Sequence, residues 1–599
     1  MVDMVDRAVD VHEFHIPVMG TGFTIDTPLH VARYGISSVV SLVDDVLIEQ
    51  MREHYAAVYG RAFEPIGADL EDARARRICA YLDLMADVVA EQFAALRSSP
   101  FEPGSEISRY FSLLPDGALR SAYNAMLGCA DPVEQQAAQE RLRGMIQPGC
   151  IDVNIMTKLD RLPLDAAGNP LDAQFSDALS ALRGFAESKA NGGMVFSAGL
   201  NAPLYTAVRQ YADFLPGADG VSRKTVILKV SDYRSAAIQG RFLAKRGVWV
   251  SEFRIESGLH CGGHTFATQG YLLGPILDEF QGKRAALQQT LHRDYSKALA
   301  AAGMEVPAAP RRMAVTVQGG LATHDEHRAM LAQYGMDRTG WATPFLLVPE
   351  VTSLDAEHIQ LLIDAEDGDV VLSDSSPLGV PFWTLKTSAS ERAKERRIAE
   401  GHPGSGCPKG YLRLVDGVAP TPVCRSSRAY QSRKLVAIEA DASLDASAKA
   451  LQKDLTLAKA CICHELAGGA LLKHGIRKTS NTAVCPSLSI LHFKATHTLE
   501  EMVGHIYGRW SLLKDHLRPH MFIRELAIYI DYLHRELERF AIAGGTRKLS
   551  YYEEFKENLL AGISYYQQTF QDYVGEQRDR FAEELRLLHE KLEGVAVDA

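Results

Sequence analysis

The sequence predicts an α/β protein: a (β/α)8 TIM barrel with an α-helical insertion after strand 2 and a mainly helical C-terminal extension. Three observations predict it. Eight short β-rich runs alternate with helical segments over the first two thirds of the chain. The last three of these runs lead into glycine-bearing turns, at Gly262-Gly263, Gly319-Gly320 and Gly340. The chain of 599 residues is 46% hydrophobic, enough to bury a large core.

The strands are read in order as His15–Gly20, Gly35–Val40, Ile151–Met156, Gly193–Ala198, Thr225–Val230, Val248–Phe253, Ala314–Val317 and a short eighth around Arg338 to Ala342. Ser231 is placed to cap a helix that stops at Gly247. Thr323 and Glu326 have the spacing of a capping box, and Gly335 ends that helix. Residues 46–145 are too many for one crossover and predict at least three helices over the barrel, as a lid. One of them carries Leu82, Met85, Val89, Phe93 and Leu96 at helical spacing. Thr387 to Pro422 reads as loop, and a helix follows near Ala440 to Cys461. From Leu499 the chain is helical again. Leu559, Ile563, Tyr566, Phe570 and Tyr573, and then Phe581, Leu585, Leu588 and Leu592, form a stripe that is either a core face or a homo-oligomer seam. Three parts are expected: a barrel over 14–385 containing the 46–145 insertion, a cysteine-containing segment over 386–498, and a helical region over 499–599.

The net charge of -11 argues against nucleic-acid and anionic-membrane partners. No apolar run reaches membrane-span length, and the acidic N-terminus does not read as a signal peptide. Nine cysteines, an odd count, fit a reducing cytoplasm better than a disulfide framework. A Walker loop, a Gly-x-Ser-x-Gly elbow and a Rossmann Gly-x-Gly-x-x-Gly are all absent.

Barrels of this kind act at the C-terminal ends of their strands. The chemistry-bearing residues fall there: Met19, Gly20 and Thr21 after the first strand, Asn154 on the third, Lys229 on the fifth, Gly262, Gly263 and His264 after the sixth. Gly319 and Gly320 follow the seventh, and Gly340, Ala342 and Thr343 the eighth. Glycine pairs let backbone approach a planar ligand, and backbone N–H groups at Gly319, Gly320 and Thr343, beside a helix N-terminus, suit a phosphate. A small-molecule substrate is expected.

The ordered motifs resemble the nitronate monooxygenase and FMN-dependent enoyl-reductase group of TIM barrels, over roughly residues 14 to 350. The matching pieces are Val18-Met-Gly20, Ser197-Ala-Gly199, Leu259-His-Cys-Gly-Gly-His264, Gly319-Gly-Leu321 and Ala342-Thr-Pro-Phe345. The resemblance implies an oxidoreductase with FMN as cofactor and His264 as base or substrate-orienting group. Lys229 would offset charge arriving on the flavin ring. The chain departs from the group in its insertion, its extension, Cys261 in place of alanine, and Ala342 in place of glycine. Alternatives are an FMN-dependent enoyl-thioester reductase and a non-catalytic zinc-binding scaffold; NAD(P)H or ferredoxin are the candidate electron donors.

Cys407, Cys424, Cys461, Cys463 and Cys485 crowd into one loop-rich region. Clustered thiolates suit a [4Fe-4S] centre, with zinc as the alternative, although the spacing matches no ferredoxin or zinc-finger signature. His402 and His464 are substitute ligands.

Overall fold

The computed structural model describes residues 11–157, 160–165, 169–197, 199–217, 221–261, 263, 269–406, 408–413, 422–514, 518–544, 547–569 and 578–597. Ten strands form in it: β1 Phe14–His15, β2 Ser38–Ser41, β3 Ile151–Ile155, β4 Gly192–Phe196, β5 Lys224–Val230, β6 Val250–Glu256, β7 Ala314–Gln318, β8 Arg338–Gly340, β9 Val370–Ser373 and β10 Phe382–Leu385. The first eight make one parallel sheet in the order β1-β8-β7-β6-β5-β4-β3-β2. A bridge between Ile16 and Ser38 closes β1 onto β2. The fold is the predicted α/β barrel. β9 and β10, an antiparallel pair, were not foreseen.

The barrel interior is ionic as well as apolar. Along β6, side chains alternate. Glu252 accepts from Arg254 Nε at 2.8 Å, from Thr316 Oγ1 at 2.7 Å and from Arg338 Nη2 at 2.8 Å. Asp152 on β3 receives Gly193 N–H at 2.7 Å. Burial of these charges is offset by pairing and hydrogen bonding within the lattice.

The insertion forms five helices, Asp45–Val58, Ala73–Ser98, Glu106–Leu113, Ala118–Leu127 and Pro132–Met145. Leu82, Met85, Val89 and Leu96 are buried as the spacing predicts. Helix Ala73–Ser98 packs on helix Asp177–Glu187, which flanks the barrel, so the insertion widens the helical ring on one side. Helix Tyr233–Ala244 is capped by Asp232, whose carboxylate accepts Ser235 N–H at 2.6 Å; Ser231 instead hydrogen-bonds that carboxylate. A carboxylate is the stronger acceptor.

The segment read as loop contains helix Ala389–Ala399, and the helix expected near Ala440 to Cys461 is Ala446–Leu457, preceded by a further one, Arg428–Ala440. Charge-rich helix surface hid the first. In the C-terminal helices Met521–Ala543, Leu549–Thr569 and Arg578–Glu593, the residues Leu559, Ile563, Tyr566, Phe581, Leu585 and Leu592 are buried within the chain. They form a core face. Phe570 and Tyr573 lie outside the described residues. Among the described residues no helix is long and apolar enough to cross a membrane.

Candidate functional site

A cavity of about 120 Å³ opens at the C-terminal ends of the barrel strands. Its floor is largely polar: Thr21, Ser41, Asn154, Ser197, Lys229, Glu256 and His260 come from the ends of β1 to β6, with Val18, Val43 and Met156 among them. Its roof is apolar: Leu378 and Phe382 from the β9–β10 hairpin, then Leu412, Ile462, Cys463 and Leu466. No residue of 46–145 lines it, so the expected lid is supplied by the extension instead. The loop after β1 lies close under this roof: a Cβ on Gly22 would stand 2.8 Å from Leu466 O and 3.0 Å from Ala467 Cα.

Lys229 Nζ pairs with Glu256 Oε1 at 2.9 Å. Gln318 Nε2 donates to the same oxygen at 2.7 Å. Burial works to raise the Glu256 carboxyl, but Lys229, His260 and Gln318 outweigh it and hold it below the usual carboxylate range. The lysine therefore faces the cavity with its charge offset.

His260 Nδ1 lies 2.9 Å from Ser257 O. A carbonyl only accepts, so Nδ1 carries the hydrogen and Nε2 holds the lone pair of the neutral ring. Two floor atoms have no hydrogen-bond partner among the described residues: Asn154 Oδ1 and Thr21 Oγ1. Asn154 is 5% exposed and Thr21 8%. Buried polar atoms are ordinarily satisfied, so an unpartnered pair on residues that line one cavity leaves two groups for a ligand's donors.

The loop between β6 and helix Leu273–Ala301 is held from outside the barrel. Glu525, on helix Met521–Ala543, accepts Gly258 N–H at 3.2 Å, Ser257 Oγ at 3.0 Å and Leu273 N–H at 2.8 Å. Trp383 Nε1 donates to Gly258 O at 3.1 Å, and Cys261 Sγ to Cys485 O at 3.3 Å. Burial pushes the Cys261 thiol up to about 12, so it is no thiolate nucleophile.

No family model matches the chain, and no curated protein matches its sequence. Among solved structures it is similar to a nitroalkane oxidase from Streptomyces ansochromogenes at 12% identity and a TM-score of 0.29, over 63% of this chain and 84% of that one. A score that low bears on neither substrate nor cofactor.

Of the residues expected at the site, Gly20, Thr21, Asn154, Lys229 and Gly263 line the cavity together. Gly262 and His264 lie outside the described residues. Met19, Gly319, Gly320, Gly340, Ala342 and Thr343 do not line it. Met19 is fully buried beside the β1 loop. Gly319 and Gly320, at φ +106° and +86°, take the left-handed backbone that favours glycine, and the space of a Cβ on each is filled by His260 backbone (2.8 Å) and Leu259 (2.8 Å). The same space at Gly340 is taken by Gln318 and Pro17. Thr343 Oγ1 is bonded to Ser487 Oγ at 2.9 Å and accepts Ser487 N–H at 3.0 Å. Sequence reasoning missed Glu256 and His260, although His260 sits inside the motif that drew attention to His264.

Cys424, Cys461, Cys463 and Cys485 are all buried. Zinc held by thiolates at about 2.3 Å draws their sulfurs to about 4 Å of one another. Among the described residues the one trio of His, Cys, Asp or Glu gathered within 4.8 Å is Asp355, Glu357 and His358, and no three of these four cysteines are gathered that closely. Cys463 stands in the cavity roof, and Cys424 Sγ bonds Ser426 Oγ at 3.2 Å. Cys407 lies outside the described residues, and with it the full ligand set expected for an iron–sulfur centre. The Asp355 trio is self-satisfied: His358 Nδ1 bonds Asp355 at 2.8 Å and Nε2 accepts Ala389 N–H at 3.1 Å. His402 is exposed, and burial lowers His464 to about 4.

Proposed function

We propose that this cavity is the active site of a flavin-dependent oxidoreductase acting on a small carbon acid or nitronate, the proton step below applying to the carbon acid. The observation that carries the reading is the pair of unpartnered atoms, Asn154 Oδ1 and Thr21 Oγ1, in a cavity with a polar floor and an apolar roof. An isoalloxazine ring has that polarity: a hydrogen-bonding pyrimidine edge and an apolar benzenoid end. Its imide N–H would meet Asn154, and its apolar end Leu378, Phe382 or Ile462. The phosphate end does not fit at Gly319, Gly320 and Thr343, whose surroundings are filled by the chain itself.

When bound, the flavin supplies a two-electron acceptor. The protein's own part is acid–base and electrostatic. His260 Nε2 takes the proton from the substrate carbon, with Nδ1–H fixed on Ser257 O. Glu256, paired with Lys229 and bonded by Gln318, keeps a fixed negative charge on the same floor. Lys229 balances Glu256. Leu378, Phe382, Ile462 and Leu466 exclude water, which strengthens each of these interactions. His264 retains the role its position in the motif implies, as a second histidine on the same loop.

The test is the absorption spectrum of the purified protein, alone and after incubation with riboflavin or FMN. Flavin bands in the blue and near-ultraviolet, perturbed on binding, are expected. A colourless protein that perturbs neither flavin would overturn the proposal.

A further inference from the structure

Barrels of this architecture commonly seat a phosphate at the loops after strands seven and eight, beside the N-terminus of a short extra helix. Here the first of those loops runs into the crossover helix His324–Ala332. Glu326 Oε2 accepts the N–H groups of Ala322 (2.9 Å) and Thr323 (3.2 Å). Its other oxygen, Oε1, accepts Met521 N–H at 2.9 Å and is paired with the Arg518 guanidinium. Three backbone donors and one guanidinium thus converge on a single carboxylate. That is the donor set of an oxyanion site.

A capping box explains only half of this. In a capping box the glutamate reaches back to the start of its own helix. The chain contains a second one, Thr498 with Glu501, and there the glutamate is exposed. Glu326 is 3% exposed, and Met521, which bonds its second oxygen, is 195 residues further along the chain. The neighbouring backbone is closed in the same way. Gly319 and Gly320 back onto His260 and Leu259, His505 Nε2 donates to Ala322 O at 2.9 Å, and Thr343 is spent on Ser487.

We infer that the Glu326 carboxylate is a built-in anion filling the barrel's phosphate seat, so that the ligand of the cavity is recognised without a phosphate between β7 and β8. The inference rests on the flavin reading only for the identity of one probe. Removing the carboxylate leaves Arg518 and the three N–H groups facing a gap of anion size.

The test is thermal unfolding of the full chain in sodium phosphate against sodium chloride of matched ionic strength. Glu326→Ala should be destabilised and then regain about 2 °C or more with phosphate, while the native chain does not respond. Glu326→Gln keeps the seat filled without charge and should not respond either. If the alanine variant folds poorly, its refolding yield with and without phosphate gives the same reading. Indifference of Glu326→Ala to phosphate overturns the inference, as does an equal response in all three proteins. In flavin titrations, the preference for FMN over riboflavin should be greater in Glu326→Ala than in the native chain. If neither flavin binds, the flavin reading falls and the phosphate measurement still decides the role of Glu326.

Discussion

Lys229 and Glu256 face each other at 2.9 Å across neighbouring strands β5 and β6, on the cavity floor. The pair is 12% and 13% exposed, so neither charge is well solvated alone. Glu256→Gln should strand the lysine charge and cost about 3 kcal/mol of stability in urea denaturation. The double substitution Lys229→Met with Glu256→Gln should recover most of that loss. Additive losses in the double variant would show that the two residues act independently.

Thr21→Val removes an unpartnered hydroxyl at nearly constant shape. The ligand-free protein should keep its stability or gain about 1 kcal/mol, and flavin binding should weaken. Asn154→Leu should behave the same way. Calorimetric melts beside flavin titrations check this. A large stability loss with binding intact would make both residues structural.

His260→Asn keeps a side-chain N–H for Ser257 O and removes the base. Flavin reduction by substrate should slow by about 100- to 10,000-fold in anaerobic stopped flow, with flavin still bound. His264→Asn measured in parallel assigns the base to whichever variant loses more. Unchanged rates in both would remove histidine from the chemistry.

Burial pushes the Glu525 carboxyl up from 4.5 to about 7, against the pull of its three hydrogen-bond donors. The folded state therefore holds a proton that the unfolded chain releases between those values. Stability must fall as pH rises through that window, by roughly 3 kcal/mol at most. Glu465, also raised to about 7 by burial, adds to the same slope. Glu525→Gln should flatten the dependence between pH 5 and 7.5, leaving the Glu465 share. Urea melts at the two pH values measure it, and an unaltered slope would discount Glu525.

Barrel strands such as β2, β3, β5 and β7 were legible because each buries β-branched residues; β1, Phe14–His15, and β8, Arg338–Gly340, are too short for such a run, and the first was expected to reach Gly20. What escaped depended on contacts far apart in the chain. β6 runs on to Glu256, beyond the expected end at Phe253, because its alternating Glu252, Arg254 and Glu256 find partners inside the barrel. Local patterning scores those residues as surface. Thr323 and Glu326 were legible as a capping box, but nothing local announces that Arg518 and Met521 complete the other half. The glycine pair at Gly319 looked like a ligand cradle because a close backbone approach has the same signature whether the neighbour is a cofactor or His260.

Glu525 and Gly258 are 267 residues apart in sequence, and this has a consequence for biogenesis. The barrel strands leave the ribosome long before the residue that fixes the β6 loop exists. At about 5–20 residues per second the interval is roughly 13 to 53 s. During it the nascent barrel carries a half-built site with its roof and loop anchor still unmade. A chain that stalls before helix Met521–Ala543 can hold the barrel strands and yet lack the anchor of the β6 loop, so the cavity wall on that side is completed only once that helix has been made.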